Sequence, residues 1–404
     1  MNRSPLLPIF LIVLVDILGL TIILPLLPFY AEHFGASATV VGLLISTYAL
    51  CQLIAGPVLG HLSDHMGRKP LLIVSQLGTL VGFLILAFAN SLWVVFVSRV
   101  IDGLTAGNLS LAQAYIADVT EPENRAKSFG VIGIAFGIGF LIGPAISGFL
   151  SQYGYAYPIL AAALLSATSV ACTATLLPKV EPHTLAEAGD PGPGGRRVSV
   201  LNWKMYAEYF ARPALGPLLW EFFFFAFSFA FFISGFALYA QRRFTLNGHP
   251  FGAKEVGYVF AYVGFLGIIL QGGFIGRLVK VFGEAKLVKT GFAASAVGFG
   301  LLAWTRTLPQ LLAASTINSY GNGVLRPAVT SLITQQAGRR EQGIVLGLTQ
   351  SIMSVSQIIA PIIAGMLIQR EQLAAWALGV GGVALLGLIT SVTRSVPAAA
   401  VPAA

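Results

Sequence analysis

The chain has 404 residues, of which 56% are hydrophobic and only 10% carry a charged side chain. Soluble proteins carry about 25% charged residues, so this chain has too little polar surface for a soluble particle and its solvent is expected to be lipid. The formal net charge is +8. The cations lie in the gaps between apolar runs and form no stripe or arm, which argues against a nucleic-acid-binding protein.

Twelve apolar runs are long enough to cross a bilayer, which takes about 20 residues of helix. They lie near residues 6–30, 38–59, 70–89, 92–116, 126–150, 155–177, 214–240, 254–278, 286–305, 308–334, 342–367 and 373–393. The sequence therefore predicts an all-α membrane protein with twelve transmembrane helices, surrounded by the lipid bilayer and expected to be a monomer. No ligand spacing of His or Cys indicates a metal, and no cofactor motif is found.

The segment 178–213 between the sixth and seventh runs is rich in glycine and proline. It is predicted to be a cytoplasmic linker with one interfacial helix near 200–210, dividing the chain into bundles at 1–177 and 214–404. Most loop cations fall on the side of the N-terminus, so the positive-inside rule predicts that both termini are cytoplasmic. In a bacterium the protein would lie in the inner membrane.

The two bundles carry matching residues at a nearly constant offset, which indicates an internal repeat. An offset of 216 or 217 residues relates four such pairs: Gly60 and Gly276, Gly67 and Gly283, Pro144 and Pro361, and Gly148 and Gly365. The sequence therefore predicts two pseudo-symmetric six-helix bundles.

The second and third runs are joined by the polar segment 60–70, which reads GHLSDHMGRKP. Its charge density requires a turn at a membrane face. The segment resembles the loop signature of the major facilitator superfamily, whose fold has two such bundles around a shared site. The resemblance implies that the gate involves Asp64, Gly67 and Arg68, that Asp118 pairs with Arg68, and that Asp64 meets the start of the eleventh span. Asp118 and Arg125 flank the loop after the fourth span.

Ionisable residues inside membrane spans are costly and are functional candidates by default. They lie in spans 1, 4, 7 and 10, which by the resemblance line the central cavity, and they are Asp16, Arg99, Asp102, Glu221 and Arg326. The first span resembles that of drug/proton antiporters, and Asp16 is either a proton or substrate site or a buried carboxylate satisfied by a neighbouring helix.

The other ionisable candidates also have two interpretations. Arg99 and Asp102 share a helix face; the resemblance ties the arginine to proton transfer, and the alternative is a self-neutralising pair. Glu221, among aromatic residues, suits a hydrophobic cation or else extends to the membrane surface. Arg326 suits an anionic substrate group or a partner acid. The polar candidates for substrate hydrogen bonds or helix packing are Asn108, Gln113, Asn318 and Asn322.

The fifth run contains Gly139, Gly143, Pro144 and Gly148, which resemble the span-5 signature of antiporters except that Ser147 replaces one glycine. Small residues on one face allow close helix packing, and a proline bends a helix.

Within the superfamily, the chain is most similar to the tetracycline and multidrug proton antiporters. The resemblance implies proton-coupled efflux of an amphipathic drug-like or metabolite substrate by alternating access. Gly82 occupies the position at which the tetracycline exporters carry a second acidic residue. The resemblance therefore does not identify tetracycline as the substrate. A sugar or organic-anion transporter of the same fold is the alternative. No nucleophile–base pair or phosphate loop indicates an enzyme.

Overall fold

The computed structural model describes residues 6–119, 125–178, 203–337 and 341–394. Within them the chain is almost entirely helical, with the following helices: α1 (Leu6–His33), α2 (Ala38–Met66), α3 (Arg68–Ala87), α4 (Leu92–Thr105), α5 (Asn108–Val119), α6 (Arg125–Leu150), α7 (Ala156–Leu176), α8 (Trp203–Ala211), α9 (Gly216–Arg243), α10 (Ala253–Ile268), α11 (Ile275–Phe282), α12 (Glu284–Leu301), α13 (Leu308–Gln336), α14 (Gln342–Gln369) and α15 (Leu373–Thr393). A two-stranded hairpin, β1 (Thr245–Leu246) and β2 (His249–Pro250), follows α9.

Ten helical segments of the described chain are long and apolar enough to cross a membrane, and they cover every predicted span except the ninth and tenth. The ninth, α12, has 18 residues, and three of them are Glu284, Lys286 and Lys289. The tenth, α13, is interrupted by polar residues such as Asn318 and Asn322. Both pack along each other among the apolar helices. The chain is therefore an all-α, multi-pass membrane protein, as the sequence predicts.

Two glycines at matching positions turn the chain in a single residue. Gly67 links α2 to α3 with φ of 89°, and Gly283 links α11 to α12 with φ of 71°. Positive φ is readily adopted only by glycine, which explains why both copies of the repeat keep it. In the first copy, Lys69 Nζ donates to the carbonyl oxygens of Ala174 and Leu177 at 2.8 and 2.6 Å, where α7 ends.

Two predicted spans are interrupted at their middle. The fourth breaks between α4 and α5, where the Ser75 hydroxyl donates to the carbonyl of Thr105 and accepts from the backbone N–H of Gly107. Backbone groups freed inside a membrane need such partners. The eighth contains a π-helical turn, Ile269–Phe274, between α10 and α11. Both interruptions differ from the continuous helices predicted there. The first depends on the Ser75 side chain of another helix, and the second contains two consecutive glycines.

Helices α1–α7 pack mainly against one another, and so do α9–α15; we call these sets the N-half and the C-half. Two helix pairs, α6 with α10 and α2 with α14, form most of the contact between the halves. In the first pair, a Cβ on Gly148 would lie 2.8 Å from the carbonyl oxygen of Lys254, and in the second a Cβ on Gly365 would overlap the carbonyl of Ala38. Gly148 and Gly365 are the repeat pair predicted from sequence, so the two contacts are related by pseudo-symmetry.

The halves touch at one end of the helices and separate at the other. We call the touching end the hairpin face, because β1 and β2 lie there; Arg242 pairs with Glu32 across it at 3.4 Å, and the Thr39 N–H donates to Gln369 at 3.3 Å. The opposite, terminal face carries Gly67 and α8. Towards it, the π-helical turn is exposed from residue 271 to residue 274, so the space between the halves opens to the terminal face.

Candidate functional site

Asp16 lies in α1 and faces the interior of the N-half. Its carboxylate interacts with the Ser169 hydroxyl of α7 and the Gln76 amide of α3. Gln76 in turn donates to Ser169 Oγ at 2.7 Å. Both recorded partners of the Asp16 carboxylate within the described chain are uncharged, so it has hydrogen bonds but no cation to neutralise it. Protonation removes the charge of such a group, which makes this cluster suited to binding and releasing a proton.

Arg99 and Asp102 form the predicted pair, with Arg99 Nη1 3.2 Å from Asp102 Oδ2 and both side chains less than a tenth exposed. Asp102 also interacts with the Thr79 hydroxyl. A Cβ on Gly82 of α3 would lie 2.9 Å from Asp102 Cβ, so the glycine allows α3 and α4 to approach closely at the pair. The geometry fits the self-neutralising alternative and leaves the proton-transfer role a prediction.

Glu221 is fully buried in the C-half and pairs with Arg394, at the end of α15, at 3.3 Å. Its Oε1 has no hydrogen-bond partner among the described residues. The sequence suggested that Glu221 binds a hydrophobic cation or extends to the membrane surface. The structure pairs it with a cation at the terminal face and does not bring it together with Arg326, and a role in substrate binding stays a prediction.

Arg326 lies in α13, and its side chain reaches the other half of the molecule: Cζ is 5.6 Å from the centre of the Phe136 ring in α6. Although helices of both halves surround it, Arg326 is exposed, so it faces the open space between them. One turn earlier, Asn322 donates to Asn318 Oδ1 at 2.9 Å. Asn322 is half-buried, and Asn318 is buried against Gly298 of α12, so Arg326 is the exposed one of these three α13 residues.

Of the two polar candidates of α5, Asn108 begins the helix and Gln113 lies in its middle. Asn108 is half-buried, and its Oδ1 has no hydrogen-bond partner among the described residues, whereas Gln113 is exposed. The structure does not bring either into contact with Arg326 or Asp16.

The glycines of α6 lie against α1. A Cβ on Gly139 would overlap Ile17, and one on Gly143 would overlap Thr21. The Thr21 hydroxyl donates to the carbonyl oxygen of Gly139 at 2.9 Å, and Pro144 lies inside the helix. Gly148 lies on the other side of α6, against α10, so α6 connects the helix that carries Asp16 to the C-half.

The gating residues can be followed only in part. Arg68 Nη1 donates to Ser63 Oγ at 2.5 Å in the turn between α2 and α3. The side chains of Asp64, Asp118 and Arg125 lie outside the described residues, so their predicted contacts stay predictions. At the start of α14, Arg212 binds both oxygens of Glu341, at 3.1 and 3.0 Å. That bond to Arg212 lowers the pKa of Glu341.

The chain is similar in sequence to known proteins. A sequence model of the Major Facilitator Superfamily matches residues 9–275 and 255–403. The chain belongs to this superfamily.

Among its relatives in the superfamily, the class C tetracycline resistance protein of Escherichia coli is 29% identical, over 87% of this chain and 86% of that protein. The quinolone resistance protein NorA of Staphylococcus aureus strain COL is 27% identical, over 87% and 86%. The crystal structure of the human organic anion transporter MFSD10 (TETRAN) covers 96% of this chain and 100% of its own, with a TM-score of 0.69 and 23% identity. That last similarity concerns the fold alone. The superfamily, the major facilitator fold and a transport function are therefore confirmed, and the relatives support drug efflux over the sugar or organic-anion alternative.

Several residues of the site were missed from the sequence. Gln76 and Ser169 hold the Asp16 carboxylate, and Arg394 neutralises Glu221. A glutamine in the otherwise apolar third run was a usable signal. Ser169 and Arg394 were not distinguishable from other small polar residues and terminal cations, because their roles depend on helices distant in sequence.

Proposed function

We propose that this protein exports amphipathic, drug-like or metabolite compounds across the membrane in exchange for protons. The observation that carries the proposal is the Asp16 cluster, in which a carboxylate inside the N-half has only uncharged recorded partners. Protonation of such a group is favourable inside a membrane, because it removes a charge that lipid disfavours. The names of the tetracycline and quinolone resistance relatives agree with export of such compounds.

The proposed arrangement is a monomer of two bundles, 1–177 and 214–404, joined by the linker 178–213, with both termini in the cytoplasm. If the host is a bacterium, it lies in the inner membrane. The terminal face is then cytoplasmic, and the hairpin-face contacts, such as Glu32 with Arg242, close the outer side. The described conformation is thus open inwards and ready to take a substrate from the cytoplasm or the inner leaflet.

Helix α6 connects proton binding with the motion of the halves. Gly139 and Gly143 pack on α1, beside Ile17 and Thr21, and Gly148, on the other side of α6, packs on α10 of the C-half. A change at Asp16 that shifts α1 is therefore expected to move α6 and, with it, the contact between the halves. Asp64, Arg68 and Asp118 stabilise the opposite state, in which the inner side is closed. A free-energy difference of only a few kcal/mol is enough to favour one of the two states over the other. Transport on this scheme is conformational and involves no enzymatic step.

The test is transport in proteoliposomes with an imposed pH gradient. We expect the unmodified protein to move a fluorescent amphipathic substrate against its concentration gradient, and a protonophore to abolish this. Asp16→Asn should lose gradient-driven accumulation at least about tenfold, while Glu208→Gln, which removes an exposed acid on α8, should not change it. Unchanged accumulation in Asp16→Asn would show that the proton is carried elsewhere.

A further inference from the structure

The two copies of the repeat carry their charges differently where the second and eighth spans reach the terminal face. In the first copy, Arg68 donates to Ser63 Oγ, and Lys69 donates to backbone carbonyls at the end of α7. These cations therefore bind groups of the N-half. In the second copy, the offset of 216 places Lys280 where the first copy has Asp64, so the end of α11 cannot repeat the gate contact proposed for that acid.

Two cations of α11, Arg277 and Lys280, are exposed. No ion pair or hydrogen bond of the described chain includes either side chain. The acid that follows them in sequence, Glu284, accepts hydrogen bonds from Ser331 and Gln335 of α13, at 3.1 Å each. Glu284 is thereby held against α13, and both cations present their charge at the surface.

The exposed face of α11 also carries large apolar side chains. Residues three and four apart are neighbours on a helix, so this face and the residue before the helix form one continuous surface, which we call the α11 stripe. The stripe consists of Phe274, Arg277, Lys280 and Val281. Phe274 is 50% exposed and Val281 is 72% exposed. The opposite face of α11, with Leu278 and Val279, packs against the core of the C-half.

The α11 stripe lies beside the opening of the space between the halves. Helix α6 packs closely on α10 but has no comparable packing on α11, so α6 and α11 diverge towards the terminal face. The π-helical turn that leads into the stripe is exposed there as well. In the proposed orientation, this opening is level with the inner leaflet of the bilayer, whose surface is negatively charged.

We infer that the α11 stripe binds an anionic phospholipid, with the headgroup phosphate on Arg277 and Lys280 and an acyl chain on Phe274 and Val281. Bare cations are disfavoured in hydrocarbon and exposed apolar side chains in water, whereas the boundary between headgroups and acyl chains accommodates both. A phosphate also accepts charge-assisted hydrogen bonds from a guanidinium and an ammonium group. The inference goes beyond the export function, since it does not depend on which compound is carried.

The experiment measures lipid binding to the purified full chain in detergent by native mass spectrometry. The probes are phosphatidylglycerol and phosphatidylcholine with identical acyl chains, which differ in net charge. We expect phosphatidylglycerol to bind about 10- to 30-fold more tightly, in line with the attraction of two cations near a membrane surface. Soluble glycerol phosphate carries the charge without the chains and should not displace the lipid at equal concentration.

Variants of the stripe locate the preference. The double variant Arg277→Gln with Lys280→Gln should bind both lipids equally, and each single variant should lose part of the preference. The double variant Phe274→Ser with Val281→Ser should weaken both lipids alike, because it removes the contact with the acyl chain. Size-exclusion profiles check that each variant is folded, and the single variants keep the test available if a double variant is unstable.

The matched control removes the same two kinds of charge outside the stripe. Arg306→Gln with Lys286→Gln replaces an exposed arginine after α12 and an exposed lysine near the start of α12, and it should keep most of the preference. If this control loses as much as the stripe variant, the attraction follows net charge and the inference is wrong.

Three further results would overturn the inference. They are equal binding of the two lipids by the unmodified protein, a preference that survives in Arg277→Gln with Lys280→Gln, and displacement of the lipid by glycerol phosphate. The first two would remove the role of the cations, and the third would show a phosphate site rather than a lipid site. The export function is tested separately by Asp16→Asn and stands or falls without these results.

Discussion

Asp16 and Glu221 are acids inside the hydrophobic part of the first helix of each half, α1 and α9, and their surroundings differ. Asp16 is held by a hydroxyl and an amide, whereas Glu221 is held by the guanidinium of Arg394. A nearby cation favours the charged form of a carboxylate more than neutral hydrogen-bond partners do. By the repeat offset of 216, Asp16 matches Phe232 and not Glu221, so the two acids are not at equivalent positions. Proton exchange is therefore proposed for Asp16, whereas Glu221 links α9 to α15.

The largest effect is expected when Asp16, like Glu221, is given a cationic neighbour. Gln76→Lys places an ammonium group beside the Asp16 carboxylate and makes it resemble Glu221. We expect proton-driven accumulation in proteoliposomes to fall at least about tenfold, although Asp16 is still present, because a paired carboxylate no longer exchanges its proton freely.

Gln76→Met is the control for that variant, since it removes the amide without adding charge, and most of the accumulation should remain. If Gln76→Lys transports like the unmodified protein, the uncharged surroundings of Asp16 are not what makes it a proton site.

The second test concerns the stability that Glu221 and Arg394 provide. Arg394→Gln leaves a fully buried carboxylate without its partner, which costs about 3–5 kcal/mol for a buried pair. We expect a clear fall in the thermal unfolding midpoint in detergent, while the protein that remains folded keeps its proton-driven transport.

The double variant Glu221→Gln with Arg394→Gln should recover most of that midpoint, because no charge is left unpaired. Equal midpoints for the single variant and the unmodified protein would mean that the pair is already hydrated. Loss of coupling in the folded single variant would instead give Glu221 a share of the proton role.

The smallest expected effect is at an ion pair that lies in water. Arg212 and Glu341 join the end of α8 to the start of α14, and their side chains are 32% and 35% exposed. Solvent screening limits such a pair to about 1 kcal/mol or less. Glu341→Gln should therefore shift the unfolding midpoint only slightly, and less in high salt, with Glu371→Gln, which removes an exposed acid after α14, as the control.

The pH dependence of this exposed pair follows from the sign of the shift. Because Arg212 lowers the pKa of Glu341 below its ordinary 4.5, the pair's contribution is complete above that ordinary value. It is lost as the pH falls through the lowered pKa. The difference between Glu341→Gln and the unmodified protein should thus be constant near neutral pH and disappear in acid. A difference that grows in acid would contradict the assignment.

The sequence predicted the helices well, because hydropathy reports directly on contact with lipid. The turn at Gly67 and its copy at Gly283 also followed from the sequence. The repeat matched Gly148 with Gly365, but it did not predict their contacts between the halves. The break before α5 did not, since it depends on Ser75 of another helix. Sequence position identified Asp16 and Glu221 as unusual. It did not reveal which one is neutralised, because their partners come from helices far along the chain.

The crossing of α2 and α14 brings backbone directly against backbone at Gly42 and Gly365, where any added side-chain atom would overlap the carbonyl groups of Pro361 and Ala38. A methyl group at either position acts as a wedge on the hairpin face alone. Alanine substitutions there are therefore a direct means of trapping the form that is open at the hairpin face, for structure determination and for raising state-selective antibodies.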